Sequence, residues 1–127
     1  MRGVTDVQMY TTDIASIAAA STHTTESDVA MDVSDVEVVA VQLKSTGGDA
    51  SISGNLVARL VASLDGTNYD TQTYAAVTLI QTTNSEERAT ELVNVQGIRY
   101  LKVKEIENQD ASYAATNVNV IISKKIV

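Results

Sequence analysis

Apolar and polar residues alternate along most of this chain with a period of two, which places successive side chains on opposite faces of a β-strand. The run "VVAVQLK" puts Val39, Val41 and Leu43 on one face, and "GIRYLKVKEI" and "NVNVIISKKIV" show the same alternation nearer the C-terminus. Turn-forming residues separate the runs at intervals of roughly 10–15 residues, so the pattern predicts about seven or eight antiparallel strands.

The segment "NLVARLVASL" fits two patterns. Leu56, Leu60 and Leu64 recur at a spacing of four, which a helical stripe would also give. The same letters alternate as a strand would. Gly54 before the segment and Asp65-Gly66 after it favour a strand that ends in a turn.

The first 28 residues differ from the rest, because "MYTTDIASIAAASTHTTESD" is small and polar without strict alternation. Asp13 would cap a short helix that runs to Ala20, or the segment is an extended arm. We therefore predict an N-terminal arm, extended or partly helical, over residues 1–28. Residues 29–127 are predicted to form a single all-β domain, an antiparallel β-sandwich that is jelly-roll-like.

The N-terminal run "IASIAAAS" superficially resembles the apolar part of a signal peptide. Asp6 and Asp13 precede it and Ser16 interrupts it, so a cleaved signal is not expected and the chain is expected to be mature from Met1.

Composition supports the all-β prediction. The chain of 127 residues is rich in Val, Ile, Thr and Tyr types, and contains no Phe, Trp, Pro or Cys. Without cysteine there is no disulfide framework and no thiolate chemistry. Without proline, nothing of that kind blocks the sheet edges against pairing with another chain.

Charge argues against a nucleic-acid partner, because the net charge is -7 and phosphate binding needs clustered Lys and Arg. Residues 1–97 contain four basic and thirteen acidic side chains, whereas residues 98–127 contain five basic and three acidic ones. No apolar run approaches the roughly 18 residues of a membrane span, so a membrane partner is not expected either.

Enzymatic chemistry finds little support in these residues. His23 lies among hydroxyls in "STHTTES", without the acid that would orient it as a base. Glu105 and Glu107, two residues apart on one strand, are the nearest approach to an acid–base pair, and a solvated strand end beside Lys102 and Lys104 is the simpler interpretation. We predict no catalytic residues, no cofactor and no enzyme activity.

The loop "SLDGTNYDT" poses the sharpest question about a ligand. Asp65, Asn68 and Asp70 offer oxygen atoms close together, so they are candidate ligands for a cation such as calcium. Asp-Gly between two alternating runs also predicts a hairpin, in which Asp65-Gly66 makes the turn and Tyr69 begins the return strand. We favour the hairpin and predict no metal site.

Three stretches carry a family resemblance: "LVASLDGTNYDT", "GIRYLKVKEIENQD" and "VNVIISKK". Together they resemble small β-sandwich structural proteins of tailed-bacteriophage virions. The resemblance implies a non-enzymatic capsid decoration (cement) protein that binds the major capsid protein or other virion subunits, with a tail-associated virion protein as the alternative. It also implies a homo-oligomer on the particle surface that is soluble in the host cytoplasm before assembly.

Assembly of that kind would bury apolar side chains against a neighbour. The candidates are two residues of the arm and three on second faces of predicted strands: Ile14, Ile17, Val57, Val61 and Ile121. The second layer of the sandwich is the alternative place for the strand residues.

The hairpin is also similar to the "S-x-D-G-x-x-W" turn of discoidin-like domains, in the residues Ser63, Asp65, Gly66 and Tyr69. A carbohydrate-binding module is therefore an alternative function, in which the loops around Asp65–Asp70 and Gln109–Tyr113 would bind the sugar. The sequence departs from the family pattern because Tyr69 stands where the tryptophan is expected, and no Trp or Phe is present to stack on a sugar.

Overall fold

The computed structural model describes residues 5–10, 13–24 and 30–126, with the backbone alone at residues 5–10 and 126. Ten strands and no helix occur within these ranges. The strands are β1 Thr5–Tyr10, β2 Ile14–Ile17, β3 Ser21–Thr24, β4 Met31–Asp32, β5 Val38–Gly47, β6 Asn55–Ser63, β7 Ala75–Ile80, β8 Glu86–Asn94, β9 Tyr100–Asn108 and β10 Ala115–Ile126.

The strands form two antiparallel sheets, and each sheet is four positions wide. The first sheet has the order β1-β10-β5-β8, and β2 pairs with the start of β10 while β1 pairs with its end. The second has the order β3-β9-β6-β7, and β4 pairs with the start of β9 while β3 pairs with its end. Eight positions in two such sheets form a jelly roll. The predicted antiparallel β-sandwich is therefore confirmed.

The core lies between the sheets and uses the predicted alternation. Val41, Leu43 and Leu60 are each 0% exposed. The segment with two possible patterns is a strand, β6, and both of its faces are largely buried, which explains why its apolar residues also fit a helical stripe. Leu64 lies one residue beyond the end of β6 and is 71% exposed. The alternation of apolar residues in the sequence therefore continues past the last residue that pairs in the sheet.

A bulge in β9 changes which residues face the core. Arg59 is opposite Glu105, but the next residue of β6 is opposite Val103, so Lys104 is the extra residue. Before the bulge Leu101 and Val103 face inward, and after it Ile106 does. The bulge thereby turns Glu105 to the outer face of the second sheet.

The segment predicted to be an arm contributes strands to both sheets where the structure describes it. Residues 14–17 pair with β10 and residues 21–24 pair with β9. The described part is thus extended rather than helical, because β10 and β9 supply its hydrogen-bonding partners. The rest of the predicted arm, at residues 1–4, 11–12 and 25–28, lies outside the described residues. The division of the chain at residue 28 stays a prediction.

Candidate functional site

The loop that joins β6 to β7 begins with a tight turn built by its own side chains. Gly66 has a φ of 82°, which glycine adopts without strain, and its N–H donates to Ser63 Oγ at 2.9 Å. Tyr69 forms an isolated bridge with Ser63, so the chain turns back there, but Tyr69 does not begin the return strand as predicted. Regular pairing resumes later, where β7 starts at Ala75.

The carboxylate of Asp65 is occupied by the loop itself. Its Oδ1 accepts the N–H groups of Thr67 and Asn68, each at 2.8 Å, and its Oδ2 accepts the Asn68 side-chain amide at 2.8 Å. These donors, the Asn68 N–H first, hold the pKa of Asp65 well below its ordinary value. The carboxylate therefore acts as the organiser of the turn.

Two of the three candidate metal ligands, Asp65 and Asn68, are engaged with each other and with the backbone of the loop. Asp65 faces N–H donors, and Asn68 turns its amide nitrogen, rather than its oxygen, towards Asp65. Within the ranges that the structure describes, no group of three or more His, Asp or Glu side chains is arranged to hold a metal. A ligand at this end of the sandwich would therefore bind in the cleft beside the loop.

That cleft, of about 340 Å³, opens on the outer face of the second sheet beside the loop. Lys102 Nζ lies 4.2 Å from the centroid of the Tyr69 ring, and Lys104 Nζ donates to the Thr71 carbonyl at 3.2 Å. Burial raises the pKa of Tyr69, and the nearby Tyr100 and Asp65 act in the same direction. Val61 and Asp70 complete the lining. Two ammonium groups and a phenol can bind an anionic, hydroxyl-rich ligand.

The Glu105 and Glu107 pair lies on one face, as expected, but its chemistry is structural. Arg59 Nη1 lies 3.2 Å from Glu105 Oε2, and Arg59 Nη2 lies 2.8 Å from Glu107 Oε1. The hydrogen bond from Arg59 lowers the pKa of Glu107, whereas a general acid at neutral pH needs a raised one. The arrangement clamps two strands together.

His23 lies on the edge strand β3, where it is paired with Ile106 in the register and exposed. Its exposure agrees with the interpretation of a solvated histidine. Among the residues that the structure describes, none belongs to a helix that could cross a membrane.

A polar cluster joins the loops at the opposite end of the sandwich, where sequence reasoning proposed a sugar-binding loop at Gln109–Tyr113 and missed the structural role of Asp110. Asp110 Oδ1 accepts the N–H groups of Ser53 and Gly54 at 3.0 and 2.8 Å. Its Oδ2 accepts those of Ser112 and Tyr113 at 3.0 and 2.7 Å. These four donors, that of Ser53 first, hold the pKa of Asp110 far below its ordinary value.

Asn108 extends this cluster into the core. Its Nδ2 donates to the Ile17 and Tyr113 carbonyls at 3.2 and 2.9 Å, and its Oδ1 accepts from Gln81 Nε2 at 3.1 Å. We refer to Asn108, Asp110 and Gln81 with the backbone groups they bind as the Asp110 cluster. It ties four separate connections of the jelly roll together.

The candidate interface residues are mostly covered by this chain itself. Ile14 and Ile17 are 8% and 3% exposed and belong to the core, because β2 lies along β10. Val57 and Val61, on the outer face of β6, are 8% and 1% exposed. Ile121 is half-buried on β10. Little of their surface is left for a partner, and an interface role for them stays a prediction.

Comparisons with known proteins identify the fold. No protein-family model matches the sequence, and no curated protein matches it. A structure of infectious bursal disease virus, Gx strain, aligns with 97% of this chain at a TM-score of 0.55 and 9% identity. The VP2 subviral particle of the same virus aligns with 97% of this chain at a TM-score of 0.51 and 10% identity. In both, the chain spans about a third of the viral protein, 32% of its length.

A third similar structure is the SPBc2 prophage-derived protein YomS, which aligns over 98% of this chain and 97% of its own. Its identity is 12%, and its TM-score of 0.44 is below the level of a shared fold. The TM-scores of 0.55 and 0.51 show that the chain shares its jelly-roll fold with part of the viral proteins, and identities this low show the fold alone.

Proposed function

We propose that this chain is a non-enzymatic structural subunit of a virus-like particle and, more narrowly, a capsid decoration protein. The observation that carries the proposal is the jelly roll itself, which aligns over 97% of the chain with part of a protein from a viral particle. Jelly rolls recur in viral capsids because two stacked sheets give a rigid block with loops at both ends. Fold alone never fixes function, so the proposal also needs support from the side chains.

The side chains support a building block more than a catalyst. Asp65 and Asp110, whose carboxylates accept the most hydrogen bonds of the described residues, are both committed to backbone N–H groups. Arg59 neutralises Glu105 and Glu107. These acids stabilise loops and strands, as expected of a protein whose role is to keep its shape. Partners would be the major capsid protein or other virion subunits, and the site of action would be the particle surface.

Particles purified from cells that carry the gene for this chain provide the test. We expect the chain to co-sediment with the particles in a fixed molar ratio, measured by quantitative mass spectrometry of gradient fractions. Particles made without the gene should bind the purified chain saturably, because a decoration protein adds to a completed shell. Recovery of the chain solely from the soluble fractions, with no binding to such particles, would refute the proposal.

The cleft beside the Asp65 turn favours carbohydrate binding as a second candidate function. Lys102, Lys104 and Tyr69 surround a space of about 340 Å³, which is at the lower end of the range of small-molecule pockets. Two lysines outnumber the one acid of the cleft, Asp70, so in a chain of net charge -7 the cleft favours ligands that carry carboxylate or sulfate groups. Calcium should add nothing, since N–H donors already occupy the carboxylate of Asp65.

Thermal-shift titrations with neutral, carboxylated and sulfated oligosaccharides test this candidate. We expect a rise in the unfolding midpoint with the acidic sugars alone, and its loss in Lys104→Ala. Lys44→Ala is the matched control, because Lys44 lies on the other sheet beside Glu86. No shift with any of these sugars, with or without calcium, would exclude the candidate.

A further inference from the structure

Strand β7 lies at the open edge of the second sheet. It pairs with β6 along one side, and no other described strand pairs with it. The fifteen residues from Thr71 to Ser85, which contain β7, include no charged residue and no proline. Ile80, at the end of the strand, is 64% exposed. Natural proteins rarely leave such an edge unprotected, because its free N–H and C=O groups accept another strand.

The other edges of the sandwich are protected in the ways that proteins commonly use. β8, on the same side of the sandwich as β7, carries four charged side chains: Glu86, Glu87, Arg88 and Glu91. The opposite edge of the second sheet consists of the short strands β3 and β4. The first sheet is likewise bordered by two strands, β1 and β2, rather than by one long one. Within the described residues β7 is therefore the one long, neutral and uninterrupted edge.

We propose that β7 pairs antiparallel with β7 of a second copy of this chain, so that the second sheet continues across a two-fold axis. Such an interface is self-complementary, because the same strand serves both sides. A two-fold axis perpendicular to the sheet keeps Val77 and Leu79 of both copies on the core side. The axis then passes close to Val77 or Thr78, at the middle of the strand.

The register decides which residue of the second copy the exposed Ile80 meets. With the axis at Thr78, Ile80 lies opposite Ala76, a large side chain against a small one. With the axis at Val77, it lies opposite Tyr74, whose hydroxyl donates to the Asn94 carbonyl of β8 at 2.7 Å, so its ring is held towards the first sheet. The register centred on Thr78 is therefore the one that pairs Ile80, 64% exposed in the single chain, with a residue of the second copy.

Charge favours a second copy over an oppositely charged partner at this edge. Two molecules of net charge -7 repel each other. This repulsion is weakest when the two molecules meet through surfaces that carry no charge. A neutral edge also offers no attraction to a basic protein. The proposal does not depend on a particle role, since it predicts association of the purified chain by itself.

The test places a positive charge on the edge. We expect the wild-type chain to form dimers in a concentration-dependent equilibrium, measured by sedimentation velocity and light scattering. Thr78→Lys should raise the dissociation constant by about tenfold or more, because like charges opposite each other destabilise paired strands. The measurements need moderate salt, since the acidic side chains of β8 in the two copies repel each other.

Thr90→Lys is the matched control. Thr90 is an exposed threonine on the edge strand β8, and the change alters the net charge by the same amount. Its hydroxyl accepts a hydrogen bond from Gln42, so this variant should lose at least as much stability as Thr78→Lys while it dimerises normally. A wild-type chain that stays monomeric at all concentrations, or a Thr78→Lys dimer as strong as that of Thr90→Lys, would overturn the proposal.

Cross-linking supplies a second readout that does not depend on affinity. The chain contains no cysteine, so Thr78→Cys and Thr90→Cys each introduce a single thiol. A short bis-maleimide should join two Thr78→Cys chains and leave Thr90→Cys chains mostly separate. Equal cross-linking of both variants would count against pairing through β7. Neither result bears on whether the chain binds viral particles.

Discussion

Replacement of Asp110 by alanine should lower the midpoint of thermal unfolding by roughly 10 °C, a large effect for one acidic side chain in a loop. The change removes the acceptor of four backbone N–H groups in two loops. The loops β5–β6 and β9–β10 would then lose the carboxylate that connects them, and donors in a poorly solvated place would lack a partner. Differential scanning calorimetry measures the midpoint directly.

Asp49→Ala is the control for this prediction, because Asp49 accepts one N–H, that of Ser51, in the same loop. We expect a midpoint within a few degrees of the wild type. An Asp110→Ala protein that unfolds at the same temperature as Asp49→Ala would show that the Asp110 cluster does not hold the loops together.

The dependence of stability on pH, measured at acidic pH, tests the role of Asp110 in a second way. The pKa of Asp110 is lower in the folded chain than in the unfolded one. Its contribution to stability is therefore fully present above the unfolded value of about 4 and is lost as the pH falls towards the folded value. Asp110→Asn lacks this contribution, so its stability should fall less steeply than that of the wild type below about pH 4.

The sandwich was predictable because burial on one face of a strand leaves a local record in the sequence. Val39, Val41 and Leu43 alternate with polar residues and lie in the core as expected. The bulge at Lys104 left no such record. Alternation continued from Leu101 and Val103 would have placed Glu105 in the core, and the structure instead turns it outward to Arg59.

The first 28 residues were less predictable, because their strands depend on partners far along the chain. Residues 14–17 pair with residues near 115–118, and residues 21–24 with 105–108. Small polar residues can form either a helix or an extended strand. Here the edges of β10 and β9 offer backbone hydrogen bonds to an extended segment, so the strand forms.

The Asp110 cluster could not be found from local pattern either. Asp110 binds Ser53 and Gly54, more than fifty residues earlier, and Asn108 binds Ile17, about ninety residues earlier. Asn and Asp in "ENQDASY" predict a turn, which is correct as far as it goes. Their burial follows from how four loops converge at one end of the jelly roll.

The Asp65 turn was predictable because all its hydrogen bonds lie within six residues.

Replacement of Gly54 by alanine should destabilise the fold by about 3 kcal/mol or more, which is large for the addition of one methyl group. A Cβ atom at residue 54 would lie 2.3 Å from Asp110 Cα and 2.5 Å from Asp110 N. These are backbone atoms, so no side-chain rotation relieves the clash. The two loops would have to separate, and the bond from the Gly54 N–H to Asp110 Oδ1 would lengthen. Chemical denaturation measures the change, with the neighbouring Ser53→Ala as the control.

The same contact predicts that Gly54→Ala and Asp110→Ala are not independent. Glycine matters at residue 54 because the carboxylate of Asp110 holds the two loops at close range. Once that carboxylate is removed, the loops can move apart, and the added methyl group meets less resistance. We therefore expect the double variant to lose less stability than the sum of the single variants. Additive losses would mean that the close approach of the loops is set by the sheets alone, and that the Asp110 cluster merely occupies the space between them.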